Sequence, residues 1–328
     1  MLLTIIIPMY NVEKYVEKCI SSVLDNDLEG YEYEIIIVDD ESPDNSLPLV
    51  RNRFGHLHHV RIISQRNLGL GGARNTGIRN AFGEYLLFLD SDDWVLPRTL
   101  KNLVETASSK KVDFLEFAAQ GIDPEGNVVY HYSNSTGNIV LDGVTYYNSV
   151  RYMNSACNKL YRLDFLLSNS LFFLERIFIE DFEFNTRVLL AAKRVMATDQ
   201  LVSQYLQSPE SITRTANSRK QQKMVNDILH VLEITRNLYT SRQQDDSHVK
   251  SFFLERSGFI VATLFYQLFK NRASFKEIVQ LRAILIAKGL FYVDFPLHQR
   301  SKNLFRIFLL KNFLVFRFAH FIYIKTAR

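Results

Sequence analysis

Leu3–Pro8 is a short β-branched run without polar alternation, which predicts a strand buried on both faces, as in a parallel sheet. Runs of the same kind recur at Glu34–Val38, Val60–Ser64, Tyr85–Leu89 and Val112–Ala118. Helical periodicity fills the gaps between them. Asn11 reads as the cap of a helix to about Leu24, with Val12, Tyr15, Val16, Cys19, Ile20 and Val23 on one face. Ser46–Phe54 and Gly72–Phe82 follow, and Pro97 reads as the opening of another helix. Strand–helix alternation of this kind predicts an α/β fold with a parallel sheet covered on both faces. Ligands of such sheets bind beyond the carboxyl ends of the strands.

Residues 120–140 read as a polar hairpin turning at Asp123-Pro124-Glu125-Gly126-Asn127. Helical patterns return at Gly143–Tyr152, Glu180–Ala192, Lys220–Thr240, Val249–Phe269 and Phe275–Lys288. From about 218 onward the pattern is all helix. The predicted division is therefore 1–217, with halves of about 1–118 and 119–217, and a helical region 218–328.

The chain has 328 residues, 47% hydrophobic and 23% charged, a balance that supports a buried core and excludes a disordered chain. Two distant cysteines, Cys19 and Cys157, exclude a disulfide scaffold and a zinc ribbon and favour a reduced, cytoplasmic compartment. The net charge of +4 is uneven: residues 299–328 carry seven cations and no acid, so the rest sums to −3. That argues against nucleic acid as a partner and points to a local anionic one for the tail. The first residues lack the basic segment of a signal peptide, and no stretch of 18 uncharged apolar residues predicts a membrane span. The tail itself reads as one basic amphipathic helix. Lys302, Asn303, Arg306, Arg317 and His320 share a stripe beside a broad Phe-rich surface. It suits an anionic membrane interface, with packing on its own domain or on a second copy as the alternative.

Four constellations carry candidate chemistry. Asp39-Asp40-Glu41-Ser42 closes the second strand, either as a solvated turn and cap or as acceptors for a ligand's N–H and O–H groups. Asp90-Ser91-Asp92-Asp93 closes the fourth, and an Asp-x-Asp pair there suits Mn²⁺ or Mg²⁺ shared with a diphosphate. Asn67 to Gly77 is Gly-rich between a strand and a helix, yet Arg74 stands where a dinucleotide fingerprint needs a small residue. Glu180-Asp181 lies at a probable helix start, as a cap or as a base for an acceptor hydroxyl. Arg74 is a candidate either for donor contact or for pairing with a carboxylate. Lys159 and Arg162 are candidates for phosphate charge. Trp94 suits a sugar pocket or the core, and His56, His58 and His59 read as a solvated loop.

Taken together with Ile5-Ile6-Ile7-Pro8-Met9-Tyr10-Asn11, these motifs occur in the order found in glycosyltransferase family 2, and residues 1–215 resemble it. Cys157 to Arg162 and Ser211-Ile212-Thr213 resemble further segments of that family. The resemblance implies a GT-A fold: Rossmann-like, with a mostly parallel central sheet flanked by helices. It implies an inverting enzyme of bacterial surface-polysaccharide synthesis, with a nucleotide-sugar donor (UDP-linked favoured) and a glycan or lipid-linked glycan acceptor. Pro8, Tyr10, Asp40 and Asp90 would line the donor site, Asp92 would meet Mn²⁺ or Mg²⁺, and Asp181 would be the general base. Glu180, Asp93 and Lys159 are accessory candidates. A lipid-linked acceptor would place the protein at the inner face of the plasma membrane. A sugar nucleotidyltransferase is the same-fold rival, but its basic Gly-rich loop is missing after Pro8. A non-catalytic carbohydrate-binding protein is the rival of another class.

Overall fold

The computed structural model describes residues 2–26, 28, 30, 32–207, 218–241 and 246–326. The chain divides into two compact units, Met1–Thr215 and Ala216–Arg328. Ser211-Ile212-Thr213 and Arg328 lie outside the described residues.

In the first unit nine described strands form one sheet. They are β1 (Leu3–Met9), β2 (Tyr33–Asp39), β3 (Val60–Ser64), β4 (Tyr85–Phe88), β5 (Trp94–Val95), β6 (Phe114–Ile122), β7 (Val128–Tyr132), β8 (Lys159–Arg162) and β9 (Val195–Leu206). The helices are α1 (Val16–Leu24), α2 (Ser46–Phe54), α3 (Gly69–Asn80), α4 (Leu100–Lys110), α5 (Gly143–Ser149), α6 (Leu163–Ser168) and α7 (Glu180–Ala191). The order is β3-β2-β1-β4-β8-β6-β9-β5, with β7 paired to β6 as the expected hairpin. β3, β2, β1 and β4 are mutually parallel. Beyond β4 the sheet is mixed: β8 inserts antiparallel between β4 and β6, so β6 runs with β4 without touching it.

Both faces of the parallel half are buried, which is why its strands read as unbroken apolar runs. Ile5, Ile7, Ile35, Ile37 and Leu87 pack with Cys19, Ile20 and Val23 of α1 and Leu103 and Val104 of α4. On the other face Ile36 and Val38 meet Ala73 of α3. Full burial of each such aliphatic contributes about 1.5–3 kcal/mol. Glycines set how closely α3 approaches. A Cβ on Gly77 would lie 2.3 Å from Ile6, and one on Gly71 would lie 2.5 Å from the Leu174 carbonyl oxygen. The Gly-rich motif is thus filled by protein and is a packing device, not a phosphate cradle.

α3 starts three residues before the expected Gly72, and two helices start later than expected. α1 begins at Val16, not after Asn11, which takes a left-handed φ of 56°. The amides that Asn11 would have capped are taken from α2's side: Val12 N–H donates to Ser46 Oγ (3.0 Å) and Glu13 N–H to Asp44 (2.9 Å). α4 begins at Leu100, three residues past Pro97, because Arg98 is left-handed (φ 61°). Asn26 Oδ1 then accepts the N–H groups of Thr99 and Leu100 at 3.1 and 3.2 Å.

The second unit, described by itself, holds α8 (Ser218–Thr240), α9 (Ser247–Lys270), α10 (Phe275–Ala287), α11 (Arg300–Phe305), a π-helical turn Arg306–Leu310, and α12 (Phe313–Lys325). α9 buries Phe252, Phe253, Ile260, Val261, Leu264 and Phe265. α10 starts on a capping box between Ser274 and Glu277. The tail is not one helix. It breaks at Lys311-Asn312, where the helix axis bends by 104°.

Candidate active site

The parallel strands point their carboxyl ends the same way, and the acidic motifs gather there. Pro8 and Met9 of β1 lie opposite Val38 and Asp39 of β2. Asp40 follows β2 and is buried. Its N–H donates to Met9 O (2.9 Å), and its Oδ1 accepts from Gln65 Nε2 (2.7 Å) and Leu68 N–H (2.9 Å). Asp40 therefore ties the start of α3 to the ends of β1 and β2. Pro8 is buried in the strand, whereas Tyr10 is 48% exposed.

Arg74, on the second turn of α3, joins the remaining motifs. Its side chain is 1% exposed and lies 5.1 Å over the Phe173 ring. Nη2 donates to Asp90 Oδ1 (2.8 Å); Nη1 donates to Asp181 Oδ1 (2.6 Å) and Glu180 Oε1 (3.3 Å). Burial opposes the guanidinium's charge, but Asp181 and Asp90 outweigh it and hold it protonated. Of the two expectations for Arg74, pairing with carboxylates is the one the structure bears out. Its guanidinium is engaged by the protein, where it orients Asp90 and Asp181.

Asp181 opens α7, where a helix N-terminus favours an acid. Its second oxygen accepts the Ala156 N–H at 3.0 Å. Burial raises its pKa, Arg74 works against the rise, and Asp90 adds to it. Glu180 lies deeper. Burial and the neighbouring Asp181 push its pKa up, with Arg74 opposing the rise.

Asp92 is only partly buried, and among the described residues no cation pairs with it. Desolvation and the adjacent Asp90 raise it to about 6, with only its own backbone N–H opposing them. A carboxylate crowded by a like charge and lacking a counter-ion fits a hard divalent cation, which would relieve both costs. Among the described residues no group of three or more His, Cys, Asp or Glu side chains is arranged to hold a metal. Any ion here would therefore complete its shell with substrate oxygens and water. Asp93 is buried, and its Oδ1 accepts the Leu206 N–H at 2.9 Å, so it anchors β9.

Lys159 and Arg162 are not phosphate ligands. Lys159 is fully buried, donating to Met153 O (3.0 Å), Ser155 O (2.7 Å) and Asn158 Oδ1 (2.8 Å), with Glu116 at 3.4 Å. It braces the loop that brings the Ala156 N–H to Asp181. Arg162 pairs with Tyr85 at the first residue of β4, the opposite end of that strand from Asp90. Trp94 is half-buried, donates to Gln204 Oε1 (2.5 Å) and carries the Lys18 ammonium over its ring at 3.2 Å. His59 packs on Tyr33 and His58. The Ala156 N–H and the Phe173 ring were missed from sequence, since neither residue type carries a motif signal.

Residues 4–170 match the family described as glycosyl transferase family 2. The chain belongs to that family. It is 34% identical over 221 residues to the uncharacterized glycosyltransferase EpsJ of Bacillus subtilis strain 168, covering 65% of this chain and 63% of EpsJ. It is 29% identical over 243 residues to the uncharacterized glycosyltransferase YibD of Escherichia coli K12, covering 71% and 69%. To the poly(ribitol-phosphate) β-N-acetylglucosaminyltransferase TarS of Staphylococcus aureus strain MW2 it is 29% identical over 194 residues, covering 58% of this chain but 33% of TarS. The chain thus spans less than two thirds of EpsJ and a third of TarS. The crystal structure of S. aureus TarS 1–349 with UDP-GlcNAc superposes with a TM-score of 0.58 at 21% identity, covering 83% of each chain. The fold of this family 2 member is therefore GT-A, with a mixed sheet and a helical C-terminal region.

Proposed function

We propose that this family 2 chain moves one sugar from a nucleotide-sugar donor to a hydroxyl of a growing glycan by a single inverting displacement. The observation that carries the reading is the convergence of Asp90, Glu180 and Asp181 on one buried guanidinium at the carboxyl end of β4, with Asp92 next to Asp90. Asp40, Pro8 and Tyr10 form the donor's nucleotide side. Asp92, beside Asp90, would hold Mn²⁺ or Mg²⁺, and the chemistry an ion supplies there is neutralisation of the leaving diphosphate.

Asp181 is the general base. Each carboxylate oxygen already accepts one hydrogen bond and keeps a free lone pair. Arg74 and the Ala156 N–H fix its orientation, while burial raises its basicity. The acceptor oxygen attacks the anomeric carbon as the bond to the diphosphate oxygen breaks. The hydroxyl proton passes to Asp181, and the bond's electron pair leaves with the nucleotide diphosphate. One displacement turns an α-linked donor into a β-linkage without a covalent intermediate.

UDP-linked sugars are the favoured donors, and UDP-N-acetylglucosamine is the first to test because TarS was crystallised with it. The test is a panel of UDP-, GDP- and dTDP-sugars with and without Mn²⁺, following nucleotide diphosphate release. The expected result is metal-dependent release from one donor, lost in Asp92→Ala and Asp181→Ala. No release together with no donor binding would overturn the reading and favour a non-catalytic protein of the same fold.

A further inference from the structure

A helix pair on a water-facing surface normally turns its polar side chains outward. The pair formed by 300–310 and 313–325 does the reverse. Arg306 is buried, donating to Val293 O (2.7 Å) and Asn303 Oδ1 (2.9 Å). His320 is buried with a ring nitrogen 3.0 Å from Ala273 O. Outward stand Phe308 (62% exposed), Leu314 (79%) and Phe318 (67%), with Leu304, Ile307 and Phe321 also exposed. Two polar groups of this pair are thus used inside, while large apolar side chains, Phe308, Leu314 and Phe318 foremost, face out.

The exposed apolar side chains are interspersed with exposed cations: Arg300, Lys311, Arg317 and Lys325. Residues 299–328 contain no acid, and Asp294 just before them lies 3.7 Å from Lys311. A second copy docking through the same surface would set one cationic face against another, since a two-fold interface pairs a patch with itself. A surface that is both apolar and anionic satisfies both features. Lys311 and Arg317 can keep their charges at headgroup level while neighbouring Phe and Leu enter the acyl boundary. The geometry agrees with lying in an interface. The axis bends by 104° between the arms, and no single helix among the described residues is long and apolar enough to cross a membrane, although the bent pair together is so by length and composition.

We infer that the bent pair 300–325 docks on an anionic lipid surface, with Phe308, Leu314 and Phe318 as its apolar contacts and the four exposed cations reading headgroup charge. The inference stands apart from the reaction proposed above, because vesicle binding is read without donor.

The experiment is flotation of the full chain with phosphatidylcholine vesicles, with and without phosphatidylglycerol, at low and high salt. Binding to the anionic vesicles is expected, weakened by salt and about tenfold weaker on phosphatidylcholine alone. The double variant Leu314→Ser/Phe318→Ser should lose about tenfold in vesicle affinity with an unchanged circular dichroism spectrum, since both side chains already face solvent. Lys311→Gln/Arg317→Gln should weaken binding and flatten its salt dependence. Absence of binding to anionic vesicles would overturn the inference. So would binding unaffected by the Leu314/Phe318 variant, or self-association through these residues without vesicle binding.

Discussion

Arg162 and Arg74 serve opposite ends of the same sheet, and the acids they meet are provided for differently. At the amino end of β4, Asp113 Oδ1 accepts from Arg162 (2.6 Å), and Oδ2 accepts the N–H groups of Lys193 and Arg194 at 2.8 and 2.9 Å. Glu34, near the start of β2, is likewise saturated by Thr4, the Phe82 N–H and Arg61. Each of these acids has its own cation and a full set of donors. At the carboxyl end one guanidinium is shared by Asp90, Glu180 and Asp181, and among the described residues Asp92 has no cation beside it. Acids of the first kind hold strands together. Those of the second kind share their positive charge; burial, with neighbouring acids adding to it, raises the pKa values of Glu180, Asp181 and Asp92 and prepares these groups for a proton or a cation.

The sharpest test of this contrast is Asp181→Asn. Loss of the base is expected to cut turnover by roughly a thousandfold, within the range for general-base catalysis, while donor affinity stays nearly constant. Equal losses in both would break the contrast, because they would make Asp181 a binding residue. Next in size is Arg74→Met, which leaves three acids without their shared cation. Removing one partner of a buried ion cluster costs about 3–5 kcal/mol. The deficit should shrink as pH falls from 8 to 5, because protonating the stranded carboxylates relieves their repulsion. Urea melts at several pH values would measure it.

Much of this arrangement was legible in sequence because its pieces are local. Unbroken apolar runs marked β1 to β4, and the acids that close β2 and β4 marked where ligands meet the sheet. β8 was not legible: Lys159-Leu160-Tyr161-Arg162 is too short for a pattern, and its strand character comes from insertion between β4 and β6. β9 was hidden by its polar interruption at Thr198-Asp199-Gln200, near which its pairing with β6 shifts register. The role of Arg74 could not be read locally either, since Glu180 and Asp181 lie 106 and 107 positions away. Lys159 read as a candidate for phosphate charge because nothing in its neighbourhood announces burial beside Glu116, 43 residues earlier.

Asp92 offers a test of opposite sign. Its pKa is about 6 in the folded protein against an ordinary 3.8, so folding favours its protonated form. That stability is fully present below about pH 4 and is lost as pH rises through about 6. Asp92→Asn should therefore stabilise the protein at pH 8, by about 1–3 kcal/mol after allowing for partial exposure, while abolishing any Mn²⁺-dependent donor binding. Wild-type turnover should fall as pH drops through about 6 and Asp92 takes up a proton. A variant that is less stable at pH 8 would place Asp92 with the saturated acids.

The smallest effect is expected at the other end of β4. Arg162 is one-third exposed, and without it Asp113 still accepts two backbone N–H groups. Arg162→Met should cost about 1 kcal/mol, near the upper limit for a partly exposed pair. Turnover and donor affinity should not change, because the side chain lies at the far end of the strand from Asp90. Thermal melts beside donor-release assays would read both quantities on one preparation. A loss comparable to that of Arg74→Met would mean that Asp113 depends on its cation as heavily as the site acids do. The two ends of the sheet would then differ in position alone, and donor saturation would no longer separate a structural acid from a catalytic one.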